Sequence, residues 1–427
     1  MTFRLFLLCS FVLLARPQDI LVALQPMRPA LVLTALAMAA LIFGGQRREL
    51  AAALSTVETK RYLLFFALMI LGIPFAYHKR LAFDGVLLSY TVNVIFFVLV
   101  VSQVTSLPRL KTLLWVICLS TVVFSVFGGL LQMESFRGGR FEVTGGVFDP
   151  NDTAYVLLSL FPLCLYFLQF DAGLVKRLAA IAAIFGAVAT ILLTGSRGGI
   201  IAFGVVLLML LLTRAAGIGT GRKIMLVLIL ASSGFLMKDK INVDRYLTLS
   251  HLSSDYNLTS EGGRTQLWGE ALDLALAHPF TGVGVDCFAF ADDVARRLAG
   301  ETYLQWQAVH NSYLQIAVEV GLIGFAVFMF IYLRSFRTFL RLSRSPPRSP
   351  EGVELRAASG LMLLGFTGLM ISGFFLSQGY SIFSTLYFAL AASLERLQSR
   401  ASAVVEASAE GTERYGGIAY GRQRPAP

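Results

Sequence analysis

Charge is scarce in this 427-residue chain. Asp, Glu, Lys and Arg together make up 15% of it, against about 25% in an ordinary soluble domain. There are only four histidines. The four cysteines, Cys9, Cys118, Cys164 and Cys287, include no close-spaced pair, which excludes a disulfide framework and a cysteine-based zinc site. Thirteen prolines and 38 glycines are too few for a fibrous or disordered chain. What is abundant is apolar: 56% of residues are hydrophobic and the mean hydropathy is +0.70. These values exclude an ordinary soluble enzyme and define an all-α polytopic membrane protein. Function must then rest on the few polar residues such a chain tolerates.

A bilayer-crossing helix needs about 20 apolar residues. On that scale the sequence predicts about 12 transmembrane helices, at 3–16, 28–45, 62–77, 82–102, 110–132, 152–170, 178–194, 198–213, 222–237, 311–333, 357–377 and 379–394. The first is read as a helix and not a signal peptide, because Arg16-Pro17-Gln18-Asp19 is a poor cleavage site. Residues 1–237 thus hold nine spans and 311–394 three. Between them, 238–310 is one long polar segment. Leu267, Trp268, Leu272, Leu274 and Leu276 recur in it at roughly helical spacing, so a partly helical, folded piece is expected. Residues 395–427 read as a disordered tail, rich in Ala, Gly, Ser and Arg.

The net charge of +10 does not point to nucleic acid, because the basic residues lie in short clusters between apolar runs. Such clusters orient membrane helices. With both termini cytoplasmic, 23 of the 36 Lys and Arg fall inside; six of the remaining 13 lie in the long segment. Long translocated loops are largely exempt from the rule, so residues 238–310 are expected on the outer face.

Polar residues gather at the outer ends of the predicted helices. Gly195-Ser196-Arg197-Gly198-Gly199 forms a tight hairpin at the start of the eighth span. A helix N-terminus there suits phosphate, and Arg197 adds forked donors. The competing reading is an arginine snorkelling to the headgroups beside a turn. Arg264 lies one turn before Trp268 in the long segment; it either faces an anion or is a solvated surface arginine. His278 in a Pro/Gly-rich turn reads as structural.

The stretch from His310 to Gly324 leads from the interface into the tenth span. Asn311 or Ser312 can cap that helix. Ser312, Gln315 and Glu319 share one helical face, with Glu319 about 10 Å down by helical rise, where a carboxylate must face the bundle interior. Gly321 and Gly324 allow close packing. His310 is either a neutral base or a plain interfacial histidine. Asp149 and Asn151 open the sixth span, where both types are good caps. His78-Lys79-Arg80 is a basic outer patch, and Asp292-Asp293 reads as a charged helix surface with no metal-ligand spacing around it.

Taken together, this pattern resembles the O-antigen ligase family, a superfamily that also holds O-antigen polymerases and bacterial protein O-oligosaccharyltransferases. The resemblance rests on the multi-span apolar chain with one large late loop. It also rests on Gly195-Ser196-Arg197-Gly198-Gly199, on Arg264 with Leu267-Trp268 and His278-Pro279 behind it, and on His310-Asn311 leading to Glu319-Val320-Gly321. It is firmest over 145–335. Asp149-Pro150-Asn151-Asp152 is similar to members tied to capsule or exopolysaccharide clusters.

The resemblance implies a GT-C-like glycosyltransferase of the bacterial inner membrane that needs no metal or other cofactor and has its active site facing the periplasm. The donor would be a glycan on undecaprenyl pyrophosphate. The acceptor would be lipid A–core, a growing glycan or a protein hydroxyl. By motif, Arg197 and Arg264 would grip the pyrophosphate and His310 would take the acceptor proton, with inversion at the anomeric carbon. A secondary transporter or lipid flippase is the alternative of another class. Its site should lie near the bilayer midplane in broken helices, whereas most polar residues here sit at the outer face; Glu319 is the feature that best supports it.

Overall fold

The computed structural model describes residues 1–128, 136–137, 140–141, 149–170, 173–212, 217–247, 263–300, 307–347 and 349–416. They form an all-helical membrane protein; a two-residue β-pairing, Phe136–Arg137 with Arg140–Phe141, is the exception among them.

The main helices are α1 (Thr2–Ala15), α2 (Pro29–Phe43), α3 (Val57–Gly72), α4 (Lys79–Gln103), α5 (Leu107–Phe127), α6 (Pro150–Gln169), α7 (Leu174–Leu193), α8 (Arg197–Leu212), α9 (Thr220–Met237), α10 (Arg264–Ala277), α11 (Phe288–Leu298), α12 (Ser312–Arg344), α13 (Pro350–Ser372) and α14 (Ile382–Gly416). Each expected span coincides with one of these. Among the described residues, eight helices are long and apolar enough to cross a membrane, while Thr2–Ala15 and Arg197–Leu212 are apolar but shorter. The C-terminal helix runs on to Gly416, into the stretch expected to be a disordered tail.

Helices form because apolar surroundings leave backbone groups no partner outside the segment. Their starts are encoded locally. Pro29, Pro150 and Pro350 occupy first-turn positions, where no N–H is needed. Thr56, Asp149, Asn311 and Ser349 cap with side-chain oxygens. The centre of the bundle is held by small residues. A Cβ on Gly365 or Gly368 of α13 would collide with the Ser159 or Leu158 carbonyl of α6, so both glycines bring the two backbones together. Tyr387 of α14 donates to the same Ser159 carbonyl, locking a third helix onto the pair.

One helix departs from its expected form. α12 breaks at Gly321, with φ 79° and ψ 170°. The break does not serve helix–helix packing: it admits the 279–284 segment. Val283 N donates to Val318 O at 2.8 Å, Gly284 N to Glu319 O at 3.0 Å, and Leu322 N to Pro279 O at 2.7 Å. Gly282 and Gly321 each face the other strand's backbone so closely that neither has space for a Cβ. The backbone groups released by the break are thus satisfied by the long segment, which the helix holds as an integral part.

Candidate functional site

Three of the spanning helices start at one end of the bundle, and a chain of hydrogen bonds ties their starts together. At α6, Asp149 forms a capping box with Asp152: its carboxylate accepts from Asn151 N at 2.6 Å and Asp152 N at 2.8 Å. The Asn151 amide donates to Asp149 at 3.1 Å and accepts from Ser196 Oγ at 2.9 Å. Ser196 in turn caps α8 by accepting from Gly199 N at 3.1 Å. Gly195, φ 58°, supplies the left-handed turn that the hairpin needs, and Gly198 makes room for the Phe375 ring.

The chain continues towards α12. Gln378, in the loop before α14, donates from its amide to Asp152 at 2.9 Å and from its backbone to Ser312 Oγ at 3.0 Å. Ser312 donates to Leu376 O at 2.7 Å, and Gln315 accepts from Gly379 N at 3.0 Å. Asn311 caps α12, accepting from Tyr313 N at 3.0 Å and Leu314 N at 3.2 Å. The polar face Ser312–Gln315 therefore faces the loop between α13 and α14.

His310 stands at the mouth of α12. Its φ of 53° is left-handed, an uncommon conformation for a residue other than glycine and one that clusters at functional sites. Its N–H donates to Ser377 Oγ at 2.8 Å. Burial pushes the imidazole below its ordinary pKa, the Arg264 charge pushes it further the same way, and the Asp149 carboxylate partly opposes both. Arg264 and Asp149 each act on the His310 imidazole, from separate elements. Trp268 explains the approach: its indole N–H donates to Val309 O at 3.0 Å, pinning α10 beside His310. Arg197, half-buried, opens α8 next to Ser196.

Chemically, the arrangement links three helix N-termini, one of which begins with Arg197, to an imidazole that burial and Arg264 bias to its neutral form. A neutral imidazole can accept a proton, and guanidinium groups beside helix starts can hold a pyrophosphate.

The remaining predicted residues lie elsewhere. Glu319 is turned to the long segment: Phe288 N donates to its Oε1 at 3.4 Å. His278 pairs with the Tyr77 hydroxyl at 2.9 Å. His78 caps its own turn by accepting from Leu81 N at 3.1 Å, and Arg80 meets Asp84 at 2.9 Å. Asp292 and Asp293 pair with Arg296 and Arg297 at 3.0 Å each. No group of three or more His, Cys, Asp or Glu able to hold a metal occurs among the described residues. Sequence reasoning missed Ser377 and Gln378, which lie in a short connection without periodicity. It also missed Arg245, which donates to Gly195 O at 2.9 Å from the short helix Val243–Leu247.

Residues 181–329 match the family described as O-antigen ligase. That stretch contains α8, α10 and the start of α12, the elements that carry Arg197, Arg264 and His310. The likeness to that family extends over about a third of the chain. Among individual proteins, the chain is 31% identical over 124 residues to the exopolysaccharide production protein ExoQ of Rhizobium meliloti (strain 1021), covering 28% of this chain and 27% of that protein. It is 29% identical over 173 residues to an uncharacterized protein of Haemophilus influenzae (strain ATCC 51907 / DSM 11121 / KW20 / Rd), covering 37% of this chain and 42% of the relative. The matched stretches span less than half of either relative.

Proposed function

We propose that this protein transfers a glycan from undecaprenyl pyrophosphate to an acceptor hydroxyl at the periplasmic face of the bacterial inner membrane. The observation that carries the reading is the hydrogen-bond chain that links the starts of α6, α8 and α12, with His310 at the mouth of α12. Arg197 and Arg264 bind the pyrophosphate, and no metal is required. As the bond from the anomeric carbon to phosphate breaks, charge builds on the leaving oxygen, where fixed donors stabilise it most. His310 takes the acceptor proton while the new glycosidic bond forms. Attack opposite the leaving group inverts the anomeric centre. The undecaprenyl tail lies among the helices.

The leading acceptor is lipid A–core, as in O-antigen ligation. A second reading, polymerisation onto a growing glycan, is favoured by the relative named for exopolysaccharide production. Gel analysis of lipopolysaccharide beside quantified exopolysaccharide from a deletion strain decides between them. Loss of long-chain lipopolysaccharide alone supports ligation, and loss of polymer with single repeat units retained supports polymerisation. Neither defect, with glycoproteins also unchanged, removes the transferase reading. Sidedness is tested by reporter fusions within 248–262, outside the described residues, and after Arg400, which should report opposite faces.

A further inference from the structure

A second polar feature adjoins the site without belonging to it. A cavity of about 390 Å³ lies between α1, α4, the 285–286 turn and the loop before α14; Arg16, Gln18, Asn93, Asp286, Gln378 and Tyr380 are among its lining residues. Gln378 connects it to the site, since its amide donates to Asp152 and its backbone to Ser312. Two chain neighbours link the compartments: Gln378 lines the cavity, and Ser377 holds the His310 backbone.

Three properties define what the cavity suits. First, its polar groups are mostly neutral amides and hydroxyls. Gln18 Oε1 is buried and makes no hydrogen bond among the described residues, while the Tyr380 hydroxyl is turned towards the Glu319 carboxylate. A buried polar atom without a partner costs about 1–3 kcal/mol, so a ligand carrying hydroxyls relieves that cost. Second, its charges offset one another. Arg16 is ion-paired with Asp19, while Asp286 adds a carboxylate packed against Gly85 that opposes an entering phosphate. Third, the backbone is strained on two sides. Arg16, φ 50°, and Asp286, φ 59°, are left-handed, as is His310. Such residues cluster where ligands bind. Aromatic rings, Tyr90 edge-on to Tyr380 at 6.0 Å, add the apolar faces on which sugar rings rest.

We infer that this cavity is a carbohydrate subsite, binding the hydroxyl-rich end of the acceptor glycan beside the proposed catalytic histidine. The inference rests on the transferase reading for the word acceptor; the carbohydrate chemistry rests on the cavity alone.

The test uses full-length protein in lipid nanodiscs. The probe is the oligosaccharide pool released by mild acid from the surface polysaccharide of the native host, observed by saturation-transfer NMR. The wild type should transfer saturation to the pool. Gln18→Met removes one unpartnered oxygen at nearly constant volume, so the melting temperature should hold or rise. It should weaken saccharide binding about five- to tenfold, the worth of one lost hydrogen bond. Arg264→Ala should leave saccharide binding intact and weaken binding of inorganic pyrophosphate. Absence of saturation transfer in the wild type, or an undiminished signal in Gln18→Met, overturns the subsite. Undiminished pyrophosphate binding in Arg264→Ala instead overturns the donor-site reading and leaves the subsite standing.

Discussion

The two ends of the helix bundle satisfy their polar residues differently. At the basic end, carboxylates meet cations. Lys111 lies 2.6 Å from Glu354, which also accepts from Tyr166. Arg334 and Arg341 meet Glu395 at 3.2 and 2.8 Å. At the site end, Asp149 and Asp152 instead accept from backbone N–H groups and from the amides of Asn151 and Gln378. No hydrogen bond to these two carboxylates comes from an arginine among the described residues. Ion pairs clamp helices and consume the charges that form them. At the site end the same job is done by carboxylates that accept from backbone N–H groups and side-chain amides, and so fix the helix starts without cations.

The sharpest break of this comparison is chemical. His310→Ala should lower the transfer rate by about 10²–10⁴ with donor binding nearly unchanged, read by single-turnover transfer from bound donor. A stable variant that binds donor and transfers at the wild-type rate would leave His310 only as an interfacial anchor. Next in size, Arg264→Ala should weaken donor binding roughly ten- to hundredfold, as expected for a charge-assisted contact, and Arg197→Lys should stay impaired because the fork is lost.

The same arginine sets a pH effect whose sign is fixed. Burial and the Arg264 charge hold His310 below its ordinary value, about 6.5. The wild type therefore keeps its neutral base, and its activity, to a pH below that value. Removing Arg264 removes a positive neighbour, so the acid limb of the rate profile should move to higher pH. Asp149→Asn retains a capping oxygen but removes a negative neighbour, so the limb should move to lower pH. An unmoved limb in both variants would detach His310 from the titration.

Smaller effects test the scaffold. Gln378→Leu strips the Asp152 carboxylate of a buried donor and should cost about 1–3 kcal/mol, measured as a lower melting temperature together with slower transfer. The smallest belongs to the basic end. Glu354→Gln breaks a half-exposed ion pair, should cost at most about 1 kcal/mol, and should leave transfer at the wild-type rate. If Glu354→Gln slowed transfer as much as Gln378→Leu, the division of labour between the ends would fail.

What the sequence revealed follows from the range of each interaction. Helices, caps and the 194–199 hairpin are written in neighbouring residues, so Asp149, Asn311 and Gly195 were legible. The Ser312–Gln315 face was visible as periodicity. Its partner was not: Gln378 and Gly379 lie more than sixty positions away in a connection too short to carry a pattern. Glu319 illustrates the limit. Its face was read correctly as buried, but what it faces depends on the break at Gly321, and a lone glycine in a helical run does not announce a break. Arg16, Gln18 and Asp286 were equally silent, because a cavity between distant elements has no local signature.

That break also carries a consequence for biogenesis. A ribosome delivers residues 279–284 before residues 318–322, so the edge that completes α12 exists before α12 itself is made. The donors that the Val318 and Glu319 carbonyls use in the folded protein are therefore synthesised before the carbonyls themselves. A chain with the same helices in permuted order, the long segment following α12, would expose those carbonyls during insertion with nothing to meet them. The position of the long segment in the polypeptide is therefore a constraint on assembly as much as on the finished bundle.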